Sequence, residues 1–147
     1  MESPSHLPSL QIESFTLSDD GSKVLIFNNS SRVWRSNTKG DYWVYDLAAK
    51  TLRRLGADLE PSSLMFAKFS SDNSFVSYVY KFNIYKENFH SGKITQLTFD
   101  GNGKIINGTF DWAYEEEFGK RDGFSISPND QNIAFWQLDI FILTVNF

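Results

Sequence analysis

The chain has 147 residues, 41% of them hydrophobic and 16% aromatic, a formal net charge of −4 and no cysteine. That length suits one ordinary domain, and an aromatic set of 14 Phe, 6 Tyr and 4 Trp favours strands. The acidic balance argues against nucleic acid or an anionic membrane as the main partner, and the lack of cysteine excludes disulfides, thiolate metal sites and a Cys nucleophile.

Residues 1–10 are rich in Pro and Ser and read as an irregular lead-in. The start, Met1 to Pro8, has no cationic region followed by an apolar stretch, so it does not read as a signal peptide. No apolar run approaches the roughly 20 residues of a bilayer span. The compartment stays open: either the protein is cytoplasmic or its true N-terminus lies upstream.

From residue 11 the pattern is one of strands. Phe15 and Leu17 alternate with Ser14 and Thr16, the turn Ser18-Asp19-Asp20-Gly21-Ser22 follows, and Val24-Leu25-Ile26-Phe27 reads as a buried strand. Tyr42 to Leu47 and Thr51 to Leu55 complete a four-stranded unit over 11–56. The same order returns over 64–99. Met65 to Ser70 precedes the turn Ser71 to Ser74, then come Phe75 to Val79, Phe82 to Tyr85 and Lys93 to Thr98. A third copy is expected to open at 123 and run to 147, with Ser127-Pro128-Asn129-Asp130 as its turn. Gly21, Asn73 and Asp130 stand at equivalent places, 52 and 57 residues apart. A period of roughly 40–50 residues with four strands is the size of one β-propeller blade.

The expected fold is therefore all-β, an incomplete propeller of about two to two and a half blades. A short acidic helix is inserted over 107–120, in the longer of the two intervals. An unfinished ring leaves apolar faces and an edge uncovered. With the apolar run Ile140 to Phe147 at the end, the chain reads as part of a longer protein.

The stretch richest in chemistry is Asp111-Trp112-Ala113-Tyr114-Glu115-Glu116-Glu117-Phe118. Asp111 can cap a helix, and carboxylates in a first turn gain from the helix dipole. Two readings stay open here. One is a solvated acidic helix start. The other is an ammonium clamp, since a primary ammonium has three donors and is saturated by two carboxylates and one further acceptor. A glycosidase pair fits poorly, because its carboxylates face each other across a bond about 5–10 Å apart. Asp100-Gly101-Asn102-Gly103 is not an EF-hand start, with Lys104 at the third ligand position, and it lacks the third glycine of a dinucleotide fingerprint. No metal site or cofactor is expected. Of the two histidines, His6 lies in the lead-in and His90 in a polar loop, and no G-x-S-x-G elbow occurs. No Ser-His-Asp site is expected, so the chain should hydrolyse nothing by itself. The sequons at Asn28, Asn29 and Asn107 carry no weight in a chain rich in Asn and Ser.

The run Asn107 to Phe118 closely resembles the dipeptidyl peptidase IV family of serine exopeptidases, whose inserted helix reads D-W-V-Y-E-E-E. Trp34-Arg35 followed by Tyr42 and Val44-Tyr45-Asp46-Leu47 resembles the family's W-R…Y-x-x-Y-D-L blade. The resemblance spans about residues 17–139, with Ala113 in place of Val. It implies an eight-bladed propeller followed by an α/β-hydrolase domain that is absent from this chain. By position it implies Glu116 and Glu117 as the grip on the substrate's free amino terminus, with Asp111, Trp112, Tyr114 and Glu115 around them. It implies Arg35 as the contact to a substrate carbonyl. The implied reaction is proteolytic release of Xaa-Pro dipeptides from peptides with Pro or Ala second. Partners implied are that peptide, the hydrolase domain and a homodimer of the longer parent. Family members are often periplasmic, secreted or membrane-anchored. A non-catalytic, propeller-like interaction module is the alternative.

Overall fold

The computed structural model describes residues 10–140. The expectations for the lead-in up to Ser9, His6 included, and for 141–147 lie outside the described residues. Among those described, strands dominate and there is one short helix.

The first sheet is a meander of four antiparallel strands, β1 (Ser14–Leu17), β2 (Lys23–Val33), β3 (Ser36–Asp46) and β4 (Thr51–Arg54), in the order β1-β2-β3-β4. The second repeats it with β5 (Met65–Phe69), β6 (Phe75–Tyr80), β7 (Asn83–Asn88) and β8 (Ile94–Gln96). These are two propeller blades.

Why they stack follows from the period of two. All six residues of β6 are buried, where a half-exposed strand would alternate. Its even positions, Val76, Tyr78 and Tyr80, join Leu25, Val44 and Leu55 of the first blade and Leu64 just before β5. Its odd position Val79 turns the other way and packs with Met65, Ile84 and Phe124. The second blade is thus covered on both faces, and each such side chain contributes about 1.5–3 kcal/mol by leaving water. One buried carboxylate ties the first two blades. Glu87 accepts from the Gly56 N–H at 2.9 Å and the Tyr78 hydroxyl at 3.1 Å, and Arg53 lies 3.3 Å from its other oxygen. Burial and the adjacent Glu87 charge push the Tyr78 phenol well up, which keeps it a donor.

The three repeat turns share one construction. A serine hydroxyl donates to a side-chain oxygen two residues on, from Ser18 to Asp20, Ser70 to Asp72 and Ser127 to Asn129. The same oxygen accepts a turn N–H shortly before the next strand, at Ser22, Ser74 and Gln131. The following residues Gly21, Asn73 and Asp130 have φ of 70°, 57° and 58°. Asn and Asp are the side chains that best tolerate this left-handed region, so loss of glycine at two of the three turns leaves the geometry intact. Asp130 also accepts from the Ser71 and Asp72 N–H groups at 2.7 and 2.8 Å, joining the third turn to the second blade.

The third sheet differs from its expected outline. β9 (Ile105–Asn107) and β10 (Phe124–Ile126) flank the helix α1 (Trp112–Phe118), and both pair with one return strand, β12 (Gln137–Asp139) and β11 (Ile133–Phe135) respectively. Trp136, between those two, donates to the Gly123 carbonyl and accepts from the Gly108 N–H, while the Gly123 N–H bonds the Gly108 carbonyl at 3.0 Å. β9 and β10 are therefore two halves of one strand, and residues 108–123 loop out of it. The third unit begins at Ile105 rather than at 123. Three residues were too short a signal to separate from the preceding loop.

A Cβ on Gly108, whose φ is 75°, would sit 2.9 Å from Ile84 Cγ1 and 3.0 Å from Val79 Cγ2. Gly108→Ala is expected to cost about 2–4 kcal/mol, from both the backbone and the clash. Gly119→Ala, at φ 62° with nothing within 4 Å, should cost only about 1 kcal/mol. Urea denaturation of the two variants checks the contrast.

A pH effect follows from the turns. Backbone N–H and hydroxyl donors from Ser22 and Ser18 hold Asp20, and those from Ser74 and Ser70 hold Asp72, at about 2 against an ordinary 3.8. A carboxylate lowered in this way contributes stability above 3.8 that disappears as the pH falls to 2. The double variant D20N/D72N keeps the acceptors, as Asn129 does in the third turn. It should show a shallower loss of stability over that window, measured by thermal unfolding at a series of pH values.

Candidate functional site

Helix α1 is closed at both ends by its own sequence. Asp111 accepts from the Tyr114 N–H at 3.1 Å, and Gly119, in the left-handed conformation, returns its N–H to the Glu115 carbonyl. None of its seven residues is buried. Its aromatic side stacks Tyr114 on Phe110 with centroids 5.0 Å apart, and Phe110 meets Trp136 at 6.1 Å.

The three glutamates point in different directions, because successive helical residues lie about 100° apart. Glu115 turns inward, with its side chain 8% exposed. It accepts from the Ser36 hydroxyl at 2.7 Å and the Arg35 N–H at 3.5 Å, and it pairs with Arg121. Burial acts to raise its carboxyl, but the donors from Ser36, Arg121 and the Arg35 backbone outweigh it and hold it below the ordinary range. Glu116 lies at the surface and meets Arg35, Nη2 to Oε1 at 2.7 Å. Glu117 is exposed and has no ion pair among the described residues.

Arg35 is placed by the longest hairpin of the fold. β2 and β3 run eleven residues each, with register shifts after Asn28, and carry the turn Trp34-Arg35 well beyond the first blade. Trp34 has φ 56°, a region that costs a bulky residue of order 1–3 kcal/mol unless its surroundings hold it there. Arg121 supplies that hold. Its side chain is 10% exposed, and it donates to the Val33 carbonyl at 3.1 Å and the Thr38 hydroxyl at 2.9 Å while facing Glu115.

Of the residues singled out from sequence, Arg35 and Glu116 are thus in contact, Glu117 is next in the chain with no ion pair among the described residues, and Glu115 belongs to a separate pair. Asp111 is the cap, Tyr114 stacks within the insertion and Trp112 is exposed. His90 is an exposed turn residue away from the helix. Sequence reasoning passed over Arg121 and Ser36. Arg121 sits in Gly119-Lys120-Arg121-Asp122, which looks like an ordinary charged loop, and only the return of the chain to its interrupted strand turns it toward the hairpin.

Comparisons with known proteins bear on the chain as a whole. Residues 18–140 match the family profile described as the dipeptidyl peptidase IV (DPP IV) N-terminal region. Dipeptidyl aminopeptidase B of Saccharomyces cerevisiae is 35% identical over 133 residues, 89% of this chain and 16% of its own length. A dipeptidyl aminopeptidase of Schizosaccharomyces pombe is 32% identical over 131 residues, 88% of this chain and again 16% of its own. The crystal structure of Porphyromonas gingivalis dipeptidyl peptidase 4 superimposes with a TM-score of 0.83 at 29% identity, covering 92% of this chain and 19% of that one. The chain spans about one-sixth of the length of these curated relatives. Two stacked four-stranded blades, a strand interrupted by the acidic helix and a match over most of the chain lead to one conclusion: this chain belongs to the dipeptidyl peptidase IV N-terminal region family.

Proposed function

We propose that this chain is the substrate-anchoring part of the propeller of a dipeptidyl aminopeptidase, with Glu116 and Glu117 binding the peptide's α-ammonium. The observation that carries the reading is the Arg35–Glu116 pair, at 2.7 Å. Two residues far apart in sequence, Arg35 chosen by the resemblance and Glu116 by its acidic run as well, meet at one place. Arg35 occupies one oxygen of Glu116 and leaves its other oxygen, with both oxygens of Glu117, as acceptors. The three side chains together carry a charge of about −1, which one ammonium neutralises. Glu115 and Arg121 cancel beside them and add nothing to that balance.

Arg35 is 69% exposed at its side chain, so its remaining N–H groups are free to meet a substrate carbonyl. Two contacts, one to the amine and one to the first carbonyls, fix the peptide's direction as well as its end. The nucleophile belongs to an α/β-hydrolase domain outside this chain. With the amine held at a set distance from that nucleophile, the reacting carbonyl falls a constant two residues in, which is positioning rather than chemical activation. Peptides with Pro or Ala at the second position are the substrates, and the amine must be protonated, so binding weakens above a pH of roughly 8.

In the complete enzyme, Glu116→Gln and Glu117→Gln should each lower kcat/KM for a free-amine Xaa-Pro substrate by about ten- to a hundredfold, the scale of one hydrogen bond to a charged group. Equal turnover of free and N-acetylated peptides by the unmodified enzyme would overturn the reading and favour a non-catalytic interaction module.

A further inference from the structure

An arginine beside three consecutive glutamates has a choice of partner. The Arg35 guanidinium pairs with Glu116, yet its own backbone N–H already lies 3.5 Å from Glu115 Oε2. Glu115 is also the more enclosed carboxylate, 8% exposed at its side chain against 35% for Glu116. A buried carboxylate attracts a cation more strongly than an exposed one, because less water screens the pair. Left alone, Glu115 would draw the Arg35 side chain inward. What satisfies it instead is Arg121, whose guanidinium is locked by the Val33 carbonyl and the Thr38 hydroxyl and cannot follow Glu116 to the surface.

We propose that Arg121 is a positioning residue of the ammonium site: by neutralising Glu115 it reserves Arg35 for Glu116 and leaves Glu117 free for the peptide amine. The inference rests on the function proposed above and adds to it the group that decides which glutamate pairs with which arginine. Arg121 touches no substrate. Its loss would leave Arg35 to pair with Glu115. Glu116 would then lose its fixed orientation, and Arg35 would be withdrawn from the peptide's carbonyl.

The test is isothermal titration at about pH 7 of the complete protein, its catalytic nucleophile replaced by Ala so that nothing is cleaved, with the tripeptide Ala-Pro-Ala and with its N-acetylated form. Arg121→Met should weaken binding of the free tripeptide by about tenfold or more, as expected for a charge-assisted contact, and shrink its advantage over the acetylated one. Adding Glu115→Gln to Arg121→Met removes the competing charge and should restore most of that advantage. A merely structural strut would not be rescued by a second loss. If Arg121→Met fails to fold, Arg121→Lys decides the matter: it keeps a charge on Glu115 but gives up the fork to Val33 and Thr38. It should retain the free-amine preference. Three results are informative against the inference. Unchanged preference in Arg121→Met, or no rescue in the double variant, overturns the role of Arg121 alone. Absence of any preference in the unmodified protein overturns the ammonium site and this role with it.

Discussion

A seven-residue helix whose one enclosed side chain is a carboxylate, Glu115, has too few hydrogen bonds and too little apolar contact to keep its place unaided. Everything about the candidate site depends on how that helix is held. Its ends are fixed by Asp111 and Gly119, its aromatic side rests on Phe110, and its inner carboxylate is locked through Arg121 to the tip of the β2–β3 hairpin. The last of these matters most. It joins a helix looped out of the third sheet to a turn carried by the first, where Arg35 meets Glu116.

The blades make that meeting possible. The burial of β6 on both faces and the Glu87 contacts to Gly56, Tyr78 and Arg53 set the second blade against the first. The carboxylate of Asp130 on the Ser71 and Asp72 N–H groups, with Phe124 packed on Val79, sets the third against the second. With those interfaces fixed, the hairpin and the insertion start from constant places, and short polar contacts suffice to align their tips. The fold supplies distance, and the ion pairs supply orientation.

Much of this was legible in the sequence. The turns at Gly21, Asn73 and Asp130 are written in short-range chemistry, a serine two residues before a carboxylate or amide and a residue that tolerates positive φ, so their spacing disclosed the repeat. The helix was legible for the same reason, since the Asp111 cap and the carboxylates after it are local signals. Two features were not. Ile105 to Asn107 form a strand only because Gln137 to Asp139 return to pair with them, and nothing within three residues announces a partner thirty positions away. Arg121 gains its role from Val33, Thr38 and Glu115, which are far away or on another element, so its sequence neighbours say only that a loop is charged. Local rules read turns and caps, whereas interrupted strands and cross-blade ion pairs are properties of the assembled fold.

The most direct measurement is a crystal structure of the complete enzyme with a bound Xaa-Pro peptide bearing a free amine. The peptide nitrogen is expected within hydrogen-bonding range, about 2.7–3.2 Å, of both the Glu116 and Glu117 carboxylates, with Arg35 still paired to Glu116 and Arg121 to Glu115. A peptide whose nitrogen lies elsewhere, with Glu117 left in solvent, would contradict the assignment of these glutamates as the substrate anchor.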